Sequence, residues 1–180
     1  MKKGVSSRSH KPEASSFTHP VEDRYFEDYV AGAVHEFGSI AVEESEMVGF
    51  ARRFDPQPFH TDPVAARKSA FGGLIASGWY TVCLTMRLLV DYYVSRVAGL
   101  GSPGVDEIRW LKPVRPGDTL SVRVKVVEAQ RSRPKPNQGT IRSYVEVLNQ
   151  HSEVVMTWKG RGLVRCRGAE GSAVITENNA

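Results

Sequence analysis

The sequence predicts an α+β protein in which one long buried helix packs on an antiparallel β-sheet. Three observations predict it. Apolar residues recur at helical spacing through the first half of the chain, and the stretch from about Ser77 to Val97 is apolar almost all round. After residue 100 the period becomes two, with Leu120, Val122, Val124 and Val126 alternating with Ser121, Arg123 and Lys125. The alternating segments follow one another with short turns, which pairs strands antiparallel.

Taken in chain order, Ala33 to Ile40 is a candidate strand. Glu43 to Phe54 has Met47, Phe50, Ala51 and Phe54 on one helical face. Its acidic residues (Glu43, Glu44, Glu46) come first and Arg52 and Arg53 last, which complements the helix dipole. That helix stops near Asp55, because Pro56 disfavours helical geometry at the residue before it. Asp62-Pro63 opens a short helix with a good N-cap and a proline at the first position. Phe71-Gly72-Gly73 is a break before the long helix. Ile108 to Val114 is a strand closed by the turn Arg115-Pro116-Gly117-Asp118. Ile141 to Leu148 and Val154 to Val164 are two more strands, joined by a turn at Asn149 to Ser152. A sheet wrapped on one helix leaves little room for a pocket within one chain, so a ligand cleft between subunits is expected.

At 180 residues the chain fits one domain with a sizeable core. Residues 1–20 and 168–180 are poor in large apolar groups and are expected to be a disordered arm and a flexible tail, leaving a folded unit at 21–167. The two cysteines, Cys83 and Cys166, are far apart, which speaks against a zinc ribbon, a thioredoxin-like site or a disulfide scaffold. The net charge of +4 is spread along the chain rather than concentrated in a nucleic-acid-binding stripe. No apolar core of a signal peptide follows Met1-Lys2-Lys3, and Arg87, Asp91 and Arg96 interrupt the longest apolar stretch. A cytoplasmic protein without a membrane span is expected.

The chemistry concentrates in Asp55-Pro56-Gln57-Pro58-Phe59-His60. Two prolines are expected to hold this segment extended between two helices, with an acid and a base five residues apart. On spacing alone it also reads as a proline-rich connector whose Asp caps and whose His packs. Asp55, His60 and Asp62 form a conceivable metal set, but Asp62 is better used as an N-cap and no Cys/His cluster accompanies it, so no metal is expected. No G-x-S-x-G elbow is present.

The run from Asp55 through Gln57-Pro58-Phe59-His60, Asp62-Pro63, Ala65, Ala66, Ser69, Ala70, Phe71 and Gly72 to Ser77-Gly78 resembles the signature of the MaoC-like dehydratases, which include the (R)-specific enoyl-CoA hydratases. Ile108-Arg109-Trp110-Leu111-Lys112-Pro113-Val114 and the Gly117-Asp118 turn resemble a second stretch of that family. The resemblance as a whole covers about 21–167. The resemblance implies the hotdog fold, one long helix wrapped by a curved antiparallel sheet and paired into homodimers or oligomers of dimers. It implies a hydro-lyase that adds water reversibly to a trans-2-enoyl thioester, with coenzyme A entering as part of the substrate and no cofactor. Asp55 and His60 would be the catalytic pair, and the Gly78 N–H the oxyanion donor. Gln57, Ser77 and Trp79 would contact the oxyanion or substrate.

The chain departs from the family pattern at Gln57, where an Asn is common, and at Ser77, where many relatives carry His. The Gln57 amide still donates and accepts from one methylene further out, and Ser77 is a natural N-cap. Without the resemblance, Gly78 reads as a helix–sheet packing position. Trp79, Tyr80 and Met86 are candidates to line an acyl pocket or to pack in the core. Cys83 reads as a small core residue. The basic run Arg131-Ser132-Arg133-Pro134-Lys135 reads as a solvated hairpin tip or a phosphate contact. His10, His19, His35 and His151 are given no role. Two rival readings stay open: a hotdog acyl-CoA thioesterase, against which the Asp55–His60 segment speaks, and a non-catalytic acyl-thioester-binding subunit, which Gln57 and Ser77 keep alive.

Overall fold

The structure, a computed structural model, describes residues 17–168. Most of the expected arm and nearly all of the expected tail lie outside the described residues. Two short 3-10 turns, Val21–Asp23 and Phe26–Asp28, lead into β1 (Val34–Ala41). Then come α1 (Glu44–Phe54), α2 (Pro58–Thr61), α3 (Pro63–Lys68) and α4 (Gly78–Tyr92). The chain finishes with β2 (Gly104–Trp110), β3 (Thr119–Arg131), β4 (Gln138–Leu148) and β5 (Val154–Arg165).

The five strands form one antiparallel sheet in the order β1-β3-β4-β5-β2. The turn at Arg115–Asp118 therefore does not make a hairpin of β2 and β3. Pro113 and Pro116 bring no N–H to a ladder, so the chain leaves the sheet after Trp110, four residues before the expected strand end. Residues 111–118 then return along the bottom of the helix, where the Ala76 N–H donates to the Val114 carbonyl at 2.8 Å.

Period two places Leu120, Val122, Val124 and Val126 on the inner face of β3, each at most 1% exposed. Ile141, Val145 and Val147 from β4 and Met156 and Trp158 from β5 continue that face. Leu84, Leu88 and Leu89 of α4 pack on it. The helix comes so close to β1 that a side chain on Gly38 would stand 2.7 Å from a Leu88 methyl. Gly38 also holds φ +78 at the irregularity that bends β1, so the curvature and the close approach both depend on it.

Helix α4 is shorter and less buried than the sequence suggests. It ends at Tyr92, because the Arg24 guanidinium donates to the carbonyls of Tyr92 and Tyr93 and the Tyr29 hydroxyl donates to Tyr93 as well. Ser95 follows, donating to the Arg24 carbonyl and accepting from the Ala98 N–H. A buried cation thus caps the helix terminus where the dipole is negative. One stripe of the helix, Trp79, Cys83, Met86 and Val90, is exposed, so Cys83 is a surface residue rather than a core one.

Phe17 lies within the stretch read as an arm, yet its ring stacks on buried His35 at 3.8 Å, with the Arg24 guanidinium 3.5 Å from the ring centre. His19, also in that stretch, lies 2.9 Å from the Asp28 carboxylate. No helix among the described residues is long and apolar enough to cross a membrane.

Candidate active site

Helix α1 terminates as the sequence requires, with Asp55 leaving helical geometry at φ −152, ψ 65 ahead of Pro56. The next residues are not extended throughout. Pro58 takes the first position of the one-turn helix α2, and that turn carries His60 into the interior, where it is 5% exposed. Asp62 is spent as the N-cap of α3, its carboxylate accepting the N–H groups of Val64 and Ala65.

The imidazole Nε2 of His60 lies 3.4 Å from Oδ2 of Asp55. On its other side, Nδ1 lies 2.8 Å from the Ile75 carbonyl. A carbonyl only accepts, so Nδ1 donates to it, and Nε2 is the ring nitrogen that faces the carboxylate. At that separation the two groups can share a proton, and both border the same space in the cleft.

The two residues that depart from the family pattern both hold the carboxylate. Gln57 Nε2 donates to Asp55 Oδ1 at 2.8 Å, and Ser77 Oγ donates to Oδ2 at 2.7 Å. These two hydrogen bonds keep the Asp55 carboxyl below its ordinary value, against the upward pull of burial and with a smaller contribution from His60. Ser77 is fully buried, and its oxygen also accepts the Trp79 N–H as N-cap of α4. Its hydroxyl is thus engaged within the protein, whereas Gln57 is exposed.

Gly78 opens α4, so its N–H has no acceptor within the helix. The packing reading of this glycine also holds. The Trp110 indole N–H donates to the Gly78 carbonyl at 3.0 Å, and a side chain on Gly78 would stand 2.5 Å from the indole ring. Trp79 and Trp110 meet edge to face with centroids 5.6 Å apart. Asp55, His60, Gly78, Trp79, Trp110 and Phe59 line a cleft of about 460 Å³. One chain by itself forms this cleft, although little room was expected between helix and sheet. Sequence reasoning did not single out Trp110 or Phe59 as lining residues. The signal for Trp110 was its place two residues beyond Ile108 on the same strand face.

A second, almost wholly apolar cleft of about 300 Å³ lies further along α4, with Met86, Leu89, Tyr93, Ile141, Trp158 and Gly160 on its walls. Tyr80 lines neither cleft. It is buried beside Phe50, and its hydroxyl donates to the Glu46 carboxylate, whose charge joins burial in pushing the phenol up to about 12. The basic run 131–135 lies between β3 and β4 at the Arg165 end of β5. The connection bordering the cleft binds Val155 at the other end of that strand, about 30 Å away at strand rise. Arg131 pairs there with Glu27.

A helix laid across a five-stranded antiparallel sheet in this order, with a cleft at the helix N-terminus, defines a hotdog protein. A family model described as the MaoC like domain matches residues 28–148. The chain is 30% identical over 127 residues to the uncharacterized protein YdeM of Bacillus subtilis (strain 168), covering 69% of this chain and 86% of that one. The crystal structure of a MaoC-like dehydratase from Rhodospirillum rubrum superposes with a TM-score of 0.72 at 38% identity, covering 80% of this chain and 98% of that one. The unliganded R-hydratase PhaJ1 from Pseudomonas aeruginosa shares the fold, with a TM-score of 0.59 at 22% identity over 79% of this chain and 84% of that one. The chain belongs to the MaoC-like domain family and has the hotdog fold of its dehydratases.

Proposed function

We propose that this protein is a hydro-lyase that reversibly adds water to a trans-2-enoyl thioester, with the acyl group carried by coenzyme A. The observation that carries the reading is the Asp55–His60 pair, with Oδ2 and Nε2 3.4 Å apart in a cleft at the N-terminus of α4. A water molecule in the cleft beside both atoms is held by hydrogen bonds to the pair. Held so, its oxygen lone pair is free for the β-carbon of an enoyl group.

In the hydration direction the water oxygen bonds to the β-carbon while one water proton passes to the pair. The electron pair of the double bond moves onto the thioester, and negative charge grows on its oxygen. The Gly78 N–H, at the positive end of the helix dipole, is the donor for that oxygen. The pair then returns one proton to the α-carbon, so its own protonation is unchanged and the product is the 3-hydroxyacyl thioester. Dehydration is the same path reversed. The ionised, doubly hydrogen-bonded Asp55 supports a holding role, and the His60 ring, with Nδ1 fixed on Ile75, supports the proton-carrying role.

The apolar cleft along α4 suits the acyl chain. It begins about 10 Å from Trp79 by helix rise, since Met86 is seven residues further on. The exposed stripe Trp79, Cys83, Met86 and Val90 and the unpaired edge of β2 suit a second copy of the chain, which makes the working unit a homodimer.

The test is the loss of enoyl absorbance with trans-2-enoyl-CoA esters of short, medium and branched chains. Turnover with at least one ester is expected. Binding without turnover of any ester would end the hydro-lyase reading, and release of free thiol would replace it with hydrolysis.

A further inference from the structure

We propose that Ser77 is the positioning residue of this site, fastening the Asp55 carboxylate to the first turn of α4 so that base and helix N-terminus form one rigid unit. The inference rests on the hydro-lyase reading for its kinetic consequence, though not for its geometry.

The hydrogen-bond polarity leaves no alternative. A serine hydroxyl has one proton, and here it is sealed from solvent at 0% exposure. Its oxygen accepts the Trp79 N–H at 3.3 Å, so its proton points to Asp55 Oδ2 at 2.7 Å. That contact joins residues 22 apart in sequence, one at the end of α1 and the other at the start of α4. Oδ2 is also the oxygen that faces His60. Gln57 holds Oδ1, so the carboxylate cannot rotate about its Cβ–Cγ bond without losing two donors at once.

The same short segment fixes the other member of the pair. The Ile75 carbonyl accepts from His60 Nδ1, and the Ile75 N–H donates to the Phe59 carbonyl at 3.3 Å. Ala76 between them is tied to Val114. Three consecutive residues, Ile75 to Ser77, therefore anchor both the acid and the base, and the first residue of α4 follows directly. The spacing of the pair relative to the Gly78 N–H is set by this segment rather than by the proline loop on which Asp55 and His60 stand. Ser77 touches no substrate in this arrangement. Its removal costs turnover and not binding.

The experiment compares wild type, Ser77→Ala, Ser77→Thr and Gln57→Ala. It measures kcat and KM on the best enoyl-CoA ester and the carboxyl titration of Asp55 by carbon-13 NMR, assigned by difference against Asp55→Asn. Ser77→Ala is expected to lower kcat about 10- to 100-fold, as loss of alignment does, with KM within about twofold. Its Asp55 carboxyl titrates at higher pH than in wild type, and Ser77→Thr restores both readouts. Gln57→Ala removes the donor at the other oxygen from an exposed side chain that caps no helix. It keeps the test alive if Ser77→Ala does not fold, and the same kcat loss and titration shift are expected of it. An unchanged kcat with an unchanged titration in the folded variants, or a rise in KM alone, would overturn the proposal. If wild type turns over no enoyl thioester while the Asp55 titration still moves in Ser77→Ala, the hydro-lyase reading falls and the anchoring of Asp55 by Ser77 stands.

Discussion

The indole of Trp110 lies on Gly78. Its N–H donates to the Gly78 carbonyl at 3.0 Å, and its ring occupies the place where a side chain would begin, with atoms 2.5 and 2.6 Å from that point. The glycine is required by its neighbour as well as by any acyl group that approaches the helix N-terminus. Gly78→Ala is expected to destabilise the fold by about 1–3 kcal/mol, the usual cost of forcing extra volume into a packed contact. In a Trp110→Ala background most of that cost disappears, and a double-mutant cycle by urea unfolding reads the difference. Turnover that stays low in the double variant after stability has recovered would assign Gly78 a part in the chemistry beyond packing.

Asp55→Asn and His60→Gln are each expected to lower kcat at least about 100-fold, the range in which positioned acids and bases contribute. The two losses should not add, because the residues act on one water. Steady-state kinetics of the single and double variants check this. A double variant that loses the product of the two single factors would show that they act independently.

Asp55 sets an expectation for acid pH. Its folded value lies below the ordinary 3.8, so the stabilisation from its ionised form is complete above the unfolded value and fades as pH falls through the folded one. The Asp55→Asn protein should therefore lose less stability than wild type between about pH 4 and the acid limit of folding. Thermal unfolding across that window checks the sign, and parallel curves for the two proteins would contradict it.

Arg24 is 4% exposed and spends its donors on the carbonyls of His19, Tyr92 and Tyr93. Arg24→Met keeps much of the apolar stem and takes the donor from the carbonyls of His19 and Tyr92, while the Tyr93 carbonyl keeps the Tyr29 hydroxyl. A loss of about 2–4 kcal/mol is expected, since each abandoned buried group costs about 1–3 kcal/mol. Hydrogen exchange should report it first in the last turn of α4, and protection there equal to wild type would remove the capping role.

The exposed stripe on α4 and the β2 edge predict self-association. Cys83→Arg and Val90→Glu, both at solvent in the single chain, should leave the isolated fold intact and yield monomers by sedimentation. Wild type should sediment as a dimer at the same concentration. A monomeric wild type would show that the stripe serves another purpose.

Much of the fold was legible because its signals are local. Alternation in Leu120 to Val126 gave the inner face of β3, the Pro56 rule gave the end of α1, and Asp62-Pro63 gave the start of α3. The hotdog fold itself came from the resemblance, which stands on the family match over residues 28–148. Three elements were misjudged, two of them for reasons of distance. Helix α4 stops at Tyr92 because donors on Arg24 and Tyr29, more than sixty residues upstream, take its last carbonyls. The strand β2 ends at Trp110 and pairs with β5, since pairing order depends on where residues 111–118 run and not on strand propensity. Pro58 was read as extending the chain, whereas at the first position of α2 it starts a turn.

The sequence alone determined which groups are available: one carboxylate, one imidazole, a glycine before an apolar helix, and the periods that sort residues into helix and strand. These follow from covalent geometry within a few residues. Tertiary structure alone decided how the groups meet. The partner of His60 is a backbone carbonyl at Ile75, which carries no side-chain signature, and the partner of Asp55 is a hydroxyl 22 residues away. Hydrogen bonds act over about 3 Å, so only the packing of α4 on the sheet brings such groups within reach.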